Sequence, residues 1–200
     1  MMMHDKIVRQ SNLKPRDLPV IEAETFVLRP LRLSDMGLIE HYTKDERVAR
    51  NTRKVPHPLP PTATEAFIRR ALTTDQEGNV WTIDAAAHGG AEVMGLITLR
   101  PADADGEAGI PDTGASEQAE VHFWVGPAFW NSGIATAALN ALIAANPGGH
   151  RTYFASVFQD NPASARVLTN CGFAYIGDAE SYSVARAAKV ATWTYSRKLD

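Results

Sequence analysis

The chain has 200 residues, enough for one domain with a real core or for two small ones. Apolar residues make up 44% and charged residues 22%, a globular balance that excludes collagen-like, coiled-coil and disordered chains. Twenty Lys and Arg against 23 Asp and Glu leave a net charge of -3, without the basic excess on which nucleic-acid binding by counterion release depends.

Residues 1–23 read as an N-terminal extension in which His4, Asp5, Lys6 and Arg9 interrupt any apolar run, so neither a signal peptide nor a membrane anchor is expected. One domain is expected over residues 24–200. Residues 25–33 (TFVLRPLRL) predict a strand and turn, and Ser34 stands as N-cap before Leu38, Ile39 and Tyr42 at helical spacing. Four prolines between 55 and 61 forbid a helix there. Thr62 with Glu65 has the spacing of a capping box for a second helix through Phe67, Ile68, Ala71 and Leu72. Two strands, 80–86 and 92–100, flank a turn at His88-Gly89-Gly90, and 101–116 has loop composition.

Residues 119–125 (AEVHFWV) predict a strand, 134–145 a helix apolar nearly all round, and 152–157 another strand. Asn161 as N-cap, Pro162 at the first helical position and Gly172 just past the end bracket a last helix. Residues 173–177 and 190–199 predict the closing strands. The single cysteine, Cys171, can form no intramolecular disulfide and suits a reducing cytoplasm. Beside Gly172-Phe173 it reads as a buried structural thiol. The six histidines show no zinc-binding spacing.

A strand ending in a short turn, then Gly133-Ile134-Ala135 opening a helix, makes an anion site of free backbone N–H groups suited to a diphosphate. The dinucleotide and Walker fingerprints are both absent, which excludes the usual NAD and ATP loops. Here the sequence resembles the GNAT acetyltransferase superfamily, and within it the RimJ/RimL-like N-acetyltransferases. The superfamily's acyl-CoA signature, Q/R-x-x-G-x-G/A, aligns with Trp130-Asn131-Ser132-Gly133-Ile134-Ala135. The segments FVLRPLRLSD (26–35), MGLITL (94–99) and NPASARVLTNCGF (161–173) follow the family's order over roughly residues 24–198.

The resemblance implies an α/β (α+β) fold: a mixed, mainly antiparallel, splayed sheet with helices on both faces. It implies acetyl-CoA as cofactor, bound by Phe123, Trp124, Val125, Asn131, Ser132, Gly133, Ile134, Ala135, Thr136 and Asn161, with a strand amide as oxyanion donor. No Lys or Arg occurs between Arg100 and Arg151, so any cation at the diphosphate comes from elsewhere, with Arg166 and His150 as candidates.

Acetyl transfer to an amine needs a base for the amine proton and an acid for the leaving thiolate. Glu120, His122 and Trp124 share one strand face, which the resemblance puts beside the acceptor. Glu120 is the first choice of base and His122 the second, since imidazole titrates nearest neutrality. Ser164 or water would protonate the thiolate, because the position of the family's tyrosine is Leu168. Arg50, Asn51, Arg53 and His57 are candidate acceptor contacts in the loop that the resemblance hangs over the cleft.

The implied activity is acetylation of a primary amine by direct attack, on a protein N-terminal α-amine as in RimJ/RimL-like enzymes. A small-molecule amine acetyltransferase and a non-catalytic acyl-CoA-binding regulatory module are the alternatives. No nucleic acid or membrane partner is expected, a homodimer is left open, and the expected location is cytoplasmic. Asp103, Asp105, Glu107, Asp112, Glu117 and Glu120, with no Lys or Arg among them, predict a cationic acceptor whose binding weakens with salt.

Overall fold

The computed structural model describes residues 18–73, 77–102 and 117–199. Its eight strands are β1 (Ile21–Glu22), β2 (Val27–Pro30), β3 (Asn79–Asp84), β4 (Gly95–Pro101), β5 (Gln118–Val125), β6 (Thr152–Phe158), β7 (Ala174–Ser183) and β8 (Ala188–Lys198). They form one sheet in the order β1-β2-β3-β4-β5-β6-β8-β7, antiparallel throughout except between β5 and β6. Among the described residues five α-helices accompany the sheet: α1 (Met36–Thr43), α2 (Glu46–Ala49), α3 (Ala63–Thr73), α4 (Ile134–Ala145) and α5 (Pro162–Asn170). The mixed, mainly antiparallel sheet with helices on both faces is the expected class.

Side-chain alternation along the strands feeds a core on each face. Trp81 and Ile83 of β3 and Ile97 of β4 pack with Leu139 and Leu142 of α4 and Leu168 of α5. Val80 and Leu96, on the opposite face, pack with Ile39 of α1 and Ile68 of α3. On β5 the same alternation puts Ala119, Val121 and Val125 into the α4–α5 core and leaves Glu120, His122 and Trp124 on the α1–α3 side. No described helix is long and apolar enough to cross a membrane.

Several local expectations change. The sheet begins at Ile21, which pairs with Leu28 and is buried, so part of the segment read as an extension packs on the domain. Ser34 does not cap α1. A 3-10 turn, Leu33–Asp35, precedes that helix, and the Asp35 carboxylate accepts the Arg32 N–H at 2.9 Å. Glu65 does not reach back to Thr62; it pairs forward with Arg69, whose Nε lies 2.9 Å from Oε1. β7 runs to Ser183, well past the predicted 173–177, and pairs along its length with β8, which lies close to the predicted 190–199, as one long hairpin. Their inward positions are Ser181, Ser183, Thr192 and Thr194, all buried, so the inner face lacks the aliphatic alternation that marks a strand.

The α1 side is held by a buried ionic knot. Arg29 of β2 is 3% exposed. Its Nη1 and Nη2 donate to the two oxygens of Asp35 at 2.9 and 2.8 Å, and its Nε donates to Asp84 of β3 at 2.5 Å. Asp35 also accepts the Thr82 hydroxyl at 3.0 Å, and Asp84 the Ala86 N–H at 2.8 Å. Burial alone would lower the Arg29 pKa, but the two carboxylates outweigh it and raise it. Arg29→Met would leave two buried carboxylates without their cation, at a cost of ~3–5 kcal/mol. Urea unfolding should show that loss as a lower midpoint with an unchanged slope; a change under about 1 kcal/mol would mean the knot is solvated.

Candidate active site

β5 is paired with β4 from Ala119 to Val125, but with β6 only at Gln118, Ala119 and Glu120. Beyond Glu120 the two strands diverge, and the β6-facing edge of β5 has no strand partner. Two cavities open on this gap, one of about 400 Å³ and one of about 490 Å³. Asn51, Phe123, Trp124, Asn161 and Ser164 line both, so the cavities meet there.

The larger cavity runs to the N-terminus of α4. Asn131 and Gly133 have positive φ, 59° and 82°. The first helical bond is Ala137 N–H to Gly133 O, which leaves the N–H groups of Ile134, Ala135 and Thr136 ahead of it without helical acceptors. No side chain caps them. A Cβ built on Gly133 would meet nothing within 4 Å, so glycine is set here by its left-handed backbone and by the open space in front of it. Trp130 Nε1 donates to Val125 O at 2.7 Å and ties the turn to the end of β5; the Ser132 hydroxyl donates to Phe129 O at 2.5 Å.

The lining carries two cations, Arg47 and Arg166, and no Asp or Glu. Free N–H groups, the Arg166 guanidinium and an uncharged wall fit the diphosphate of CoA; Arg47 is already paired with Asp45, Nε to Oδ1 at 3.0 Å and Nη2 to Oδ2 at 2.7 Å. Arg47 was missed in the sequence because it reads as part of a solvated basic run on the first helix. Its guanidinium lies 5.5 Å from the centroid of Trp130, the first residue of the signature. His150, the other expected cation, is elsewhere: it packs on Tyr153 at 5.9 Å, beyond the C-terminal end of α4, and lines neither cavity.

Asn161 caps α5 as expected, with its Oδ1 accepting the Ser164 N–H at 3.2 Å. Its Nδ2 donates to Ser164 Oγ at 3.0 Å, which occupies the hydroxyl as an acceptor and leaves its own proton to be donated where the cavities meet. Leu168 is fully buried in the core. Cys171 is also buried, its thiol against Thr136 O at 3.5 Å and pushed up to about 11 by burial, which nearby Arg197 only partly offsets.

On the wall of the smaller cavity stand Arg53 and His122, with Glu120 behind them. Arg53 Nη2 donates to both Glu120 oxygens at 2.9 Å and lies 2.9 Å from His122 Nε2. That same Nε2 is 3.0 Å from Glu120 Oε2. Burial would raise the Glu120 pKa, but the His122 ring and the Arg53 guanidinium outweigh it and pull it down to about 2. Glu120 is 4% exposed and lines neither cavity.

The other acceptor candidates divide. Asn51 lines both cavities and donates to Arg47 O at 2.9 Å. Arg50 and His57 line neither. Arg50 instead points to Asp160 at 3.5 Å. Of the acids expected to attract a cation, Asp103, Asp105, Glu107 and Asp112 lie outside the described residues. Glu117 faces Arg151 at 3.5 Å at the start of β5, away from the gap.

The tip of the β7–β8 hairpin braces this wall, a role with no local signal in the sequence. Arg186 donates to both Asp160 oxygens at 2.7 and 3.0 Å, to Arg50 O at 2.9 Å, and lies 4.7 Å over the Phe158 ring. Val184 N–H donates to Arg53 O at 3.0 Å. The hairpin therefore fixes the backbone of Arg50 and Arg53 and the residue before Asn161. No group of metal-ligating side chains occurs among the described residues.

Solved structures share this architecture. RimL, a ribosomal L7/L12 alpha-N-protein acetyltransferase in complex with coenzyme A, superposes with a TM-score of 0.72 at 17% identity over 91% of this chain and 99% of that one. Ribosomal-protein-S5-alanine acetyltransferase from Vibrio fischeri gives 0.64 at 18% identity, over 91% and 97%. Spermidine N-acetyltransferase from Vibrio cholerae, in complex with CoA and spermine, gives 0.67 at 15%, over 87% and 95%. No curated protein matches the chain in sequence. The profile described as Acetyltransferase (GNAT) domain matches residues 25–174, and the chain belongs to the GNAT acetyltransferases, enzymes that transfer an acetyl group from acetyl-CoA to an amine.

Proposed function

We propose that the chain acetylates a protein N-terminal α-amine by direct transfer, with the amine in the smaller cavity and CoA in the larger. The observation that carries this is the meeting of the two cavities at the open edge of β5, with His122 on the acceptor wall and an anion cradle at the other end. Acetyl-CoA supplies an activated acetyl thioester. Ile134, Ala135 and Thr136 N–H groups, with Arg166, hold its diphosphate, and Asn161 and the unpaired edge of β5 receive the pantetheine arm. The similarity of RimL and the S5-alanine acetyltransferase favours an α-amine; spermidine N-acetyltransferase has a similar fold, so a small amine is the second reading.

His122 is the better proton acceptor of the two candidates. A carboxylate held at about 2 is a weak base, and both Glu120 oxygens already accept from Arg53 behind the wall. Glu120 then positions the ring, as a buried acid does for a catalytic imidazole, and Arg53 balances its charge. As the C–N bond forms and the C–S bond breaks, His122 takes the ammonium proton and Ser164 returns one to sulfur. Direct attack agrees with the position of Cys171, the only thiol of the chain, outside both cavities.

Thiol release from acetyl-CoA, measured over a panel of peptides and small amines, tests the activity. His122→Ala should lower kcat by ~10²–10⁴, whereas Glu120→Gln should lower it less. The reverse order would make Glu120 the base. Glu120 has a second readout in stability. Its folded pKa lies below the ordinary 4.5, so its contribution is complete above that value and is lost as pH falls through about 2. Urea midpoints of Glu120→Gln should therefore lose less between pH 4.5 and 2 than those of the parent.

Gly133→Val strains a left-handed backbone and fills the open space before the N–H groups. Calorimetry should show acetyl-CoA affinity falling at least about tenfold with circular dichroism unchanged; unchanged affinity would reject the cradle. Arg186→Gln removes the bidentate bond to Asp160 and the bond to Arg50 O, and with them the side-chain brace on the loop that carries Arg53. It should raise the acceptor KM by about tenfold and leave acetyl-CoA affinity within about twofold, and equal shifts in both would refute a brace specific to the acceptor wall.

A further inference from the structure

Resting on the reading of the 400 Å³ cavity as the acceptor site and of His122 as the base, we infer that Thr98 and Ser156 are specificity-determining residues that hold the acceptor's amino group beside the His122 ring. The sheet puts the three side chains at one level. Thr98 of β4 is the register partner of His122, and side chains directly opposite each other share a face, with Cβ atoms about 4.5–5.5 Å apart. Ser156 stands two residues beyond Phe154 on β6, as His122 stands two beyond Glu120 on β5, and Glu120 and Phe154 are the last pair before these strands diverge. Alternation gives Ser156 the face that His122 occupies, across the gap. All three line the cavity.

An amine arriving at His122 carries more N–H bonds than the ring can accept. An ammonium ion has three and a neutral primary amine two, of which His122 takes one. Arg53, 2.9 Å from the ring, is a donor only, and both Glu120 oxygens accept from it behind the wall. Thr43 and Thr52 line the same cavity, but each hydroxyl already donates to a carbonyl, Ile39 O and Ala49 O, at 2.8 Å. Ile39, Phe67 and Leu59 bring apolar surface from α1, α3 and the proline-rich loop, against which an unpaired N–H loses its hydration without return. Thr98 and Ser156 place a neutral hydroxyl oxygen on either side of the ring. Farther along the same face, Thr192 of β8 lines the cavity with a buried hydroxyl that has no hydrogen-bond partner, a polar group the fold itself does not use.

With one N–H on His122 and the other on a hydroxyl, the lone pair of the nitrogen is left for the thioester carbon. The C–N bond forms and the C–S bond breaks, His122 takes one N–H proton, Ser164 gives a proton to sulfur, and the hydrogen held by the hydroxyl stays in the amide. A neutral secondary amine has no second N–H to offer, so the site selects primary amines.

Two matched pairs of acceptors test this: a peptide beginning with Ala against the same peptide beginning with N-methyl-Ala, and phenethylamine against N-methylphenethylamine. Each is assayed by thiol release at saturating acetyl-CoA. In whichever pair is turned over, the parent should favour the primary amine by at least about tenfold in kcat/KM. Thr98→Val keeps the shape of the side chain and Ser156→Ala removes one oxygen. Each should cut kcat/KM for the primary amine by at least about tenfold, with acetyl-CoA affinity within about twofold and circular dichroism unchanged. Thr98→Ser, which restores a hydroxyl, should recover activity to within about threefold of the parent. A fall under about threefold in either deletion, a Thr98→Ser as impaired as Thr98→Val, or equal use of primary and secondary amines by the parent overturns the inference and leaves amine acetylation standing. Acetyl-CoA binding with no amine acetylated would overturn amine acetylation itself, and the inference with it.

Discussion

The working parts of this molecule depend on where β5 and β6 stop being paired. A parallel pair that continued to Val125 would close the sheet and satisfy every amide of β5; here the register ends at Glu120. A strand edge inside a sheet is costly unless something bonds to it. In this fold the edge borders both cavities, which is where the proposed pantetheine arm would pair with it. The end of β5 is held on its other side by β4 and, through Val125 O, by the Trp130 indole. Splaying thus opens one edge without loosening the strand.

The charges on either side of the gap are arranged differently. On the side of the larger cavity they are exposed guanidinium groups, Arg166 and an Arg47 paired with Asp45, beside the free helix N–H groups of α4. On the acceptor side the principal pair is buried. Arg53 and Glu120 compensate each other, and the net effect is mechanical: an imidazole held at a fixed angle on a cavity wall. A buried pair of this type contributes little net stability over apolar packing. Its use is in orientation, as is that of the Asn161 cap, which orders a helix end and aims the Ser164 hydroxyl with the same two hydrogen bonds.

Much of this was legible in the sequence where punctuation is local. Gly133 before α4, Asn161-Pro162 and Gly172 around α5, and the alternation of 119–125 all specify their structure within a few residues, and each is found in place. The outer half of β7 is not legible because its inward positions, Ser181 and Ser183, carry hydroxyls in place of aliphatic side chains, whereas β8 is legible from 190 onward. Arg47 and Arg53 belong to one basic run with the composition of a solvated helix face. What separates them from Arg50 is the place of the partner: Trp130 of the phosphate turn for Arg47 and Glu120 of β5 for Arg53, against Asp160 outside both cavities for Arg50. Glu120 itself is legible as a residue near the chemistry and illegible as a buried one, since only the tertiary fold brings a guanidinium over it.

The hairpin brace has a consequence for how the enzyme matures. Arg186 reaches Arg50 across 136 residues of chain, and Arg53 reaches Glu120 across 67. Contacts of such separation form late, after the entropy of closing long loops has been overcome. The CoA cradle is the opposite case, a local turn and helix start within a few residues. The acceptor wall therefore carries the larger loop-closure cost, while the N–H groups that open α4 depend only on a turn beside them in the chain.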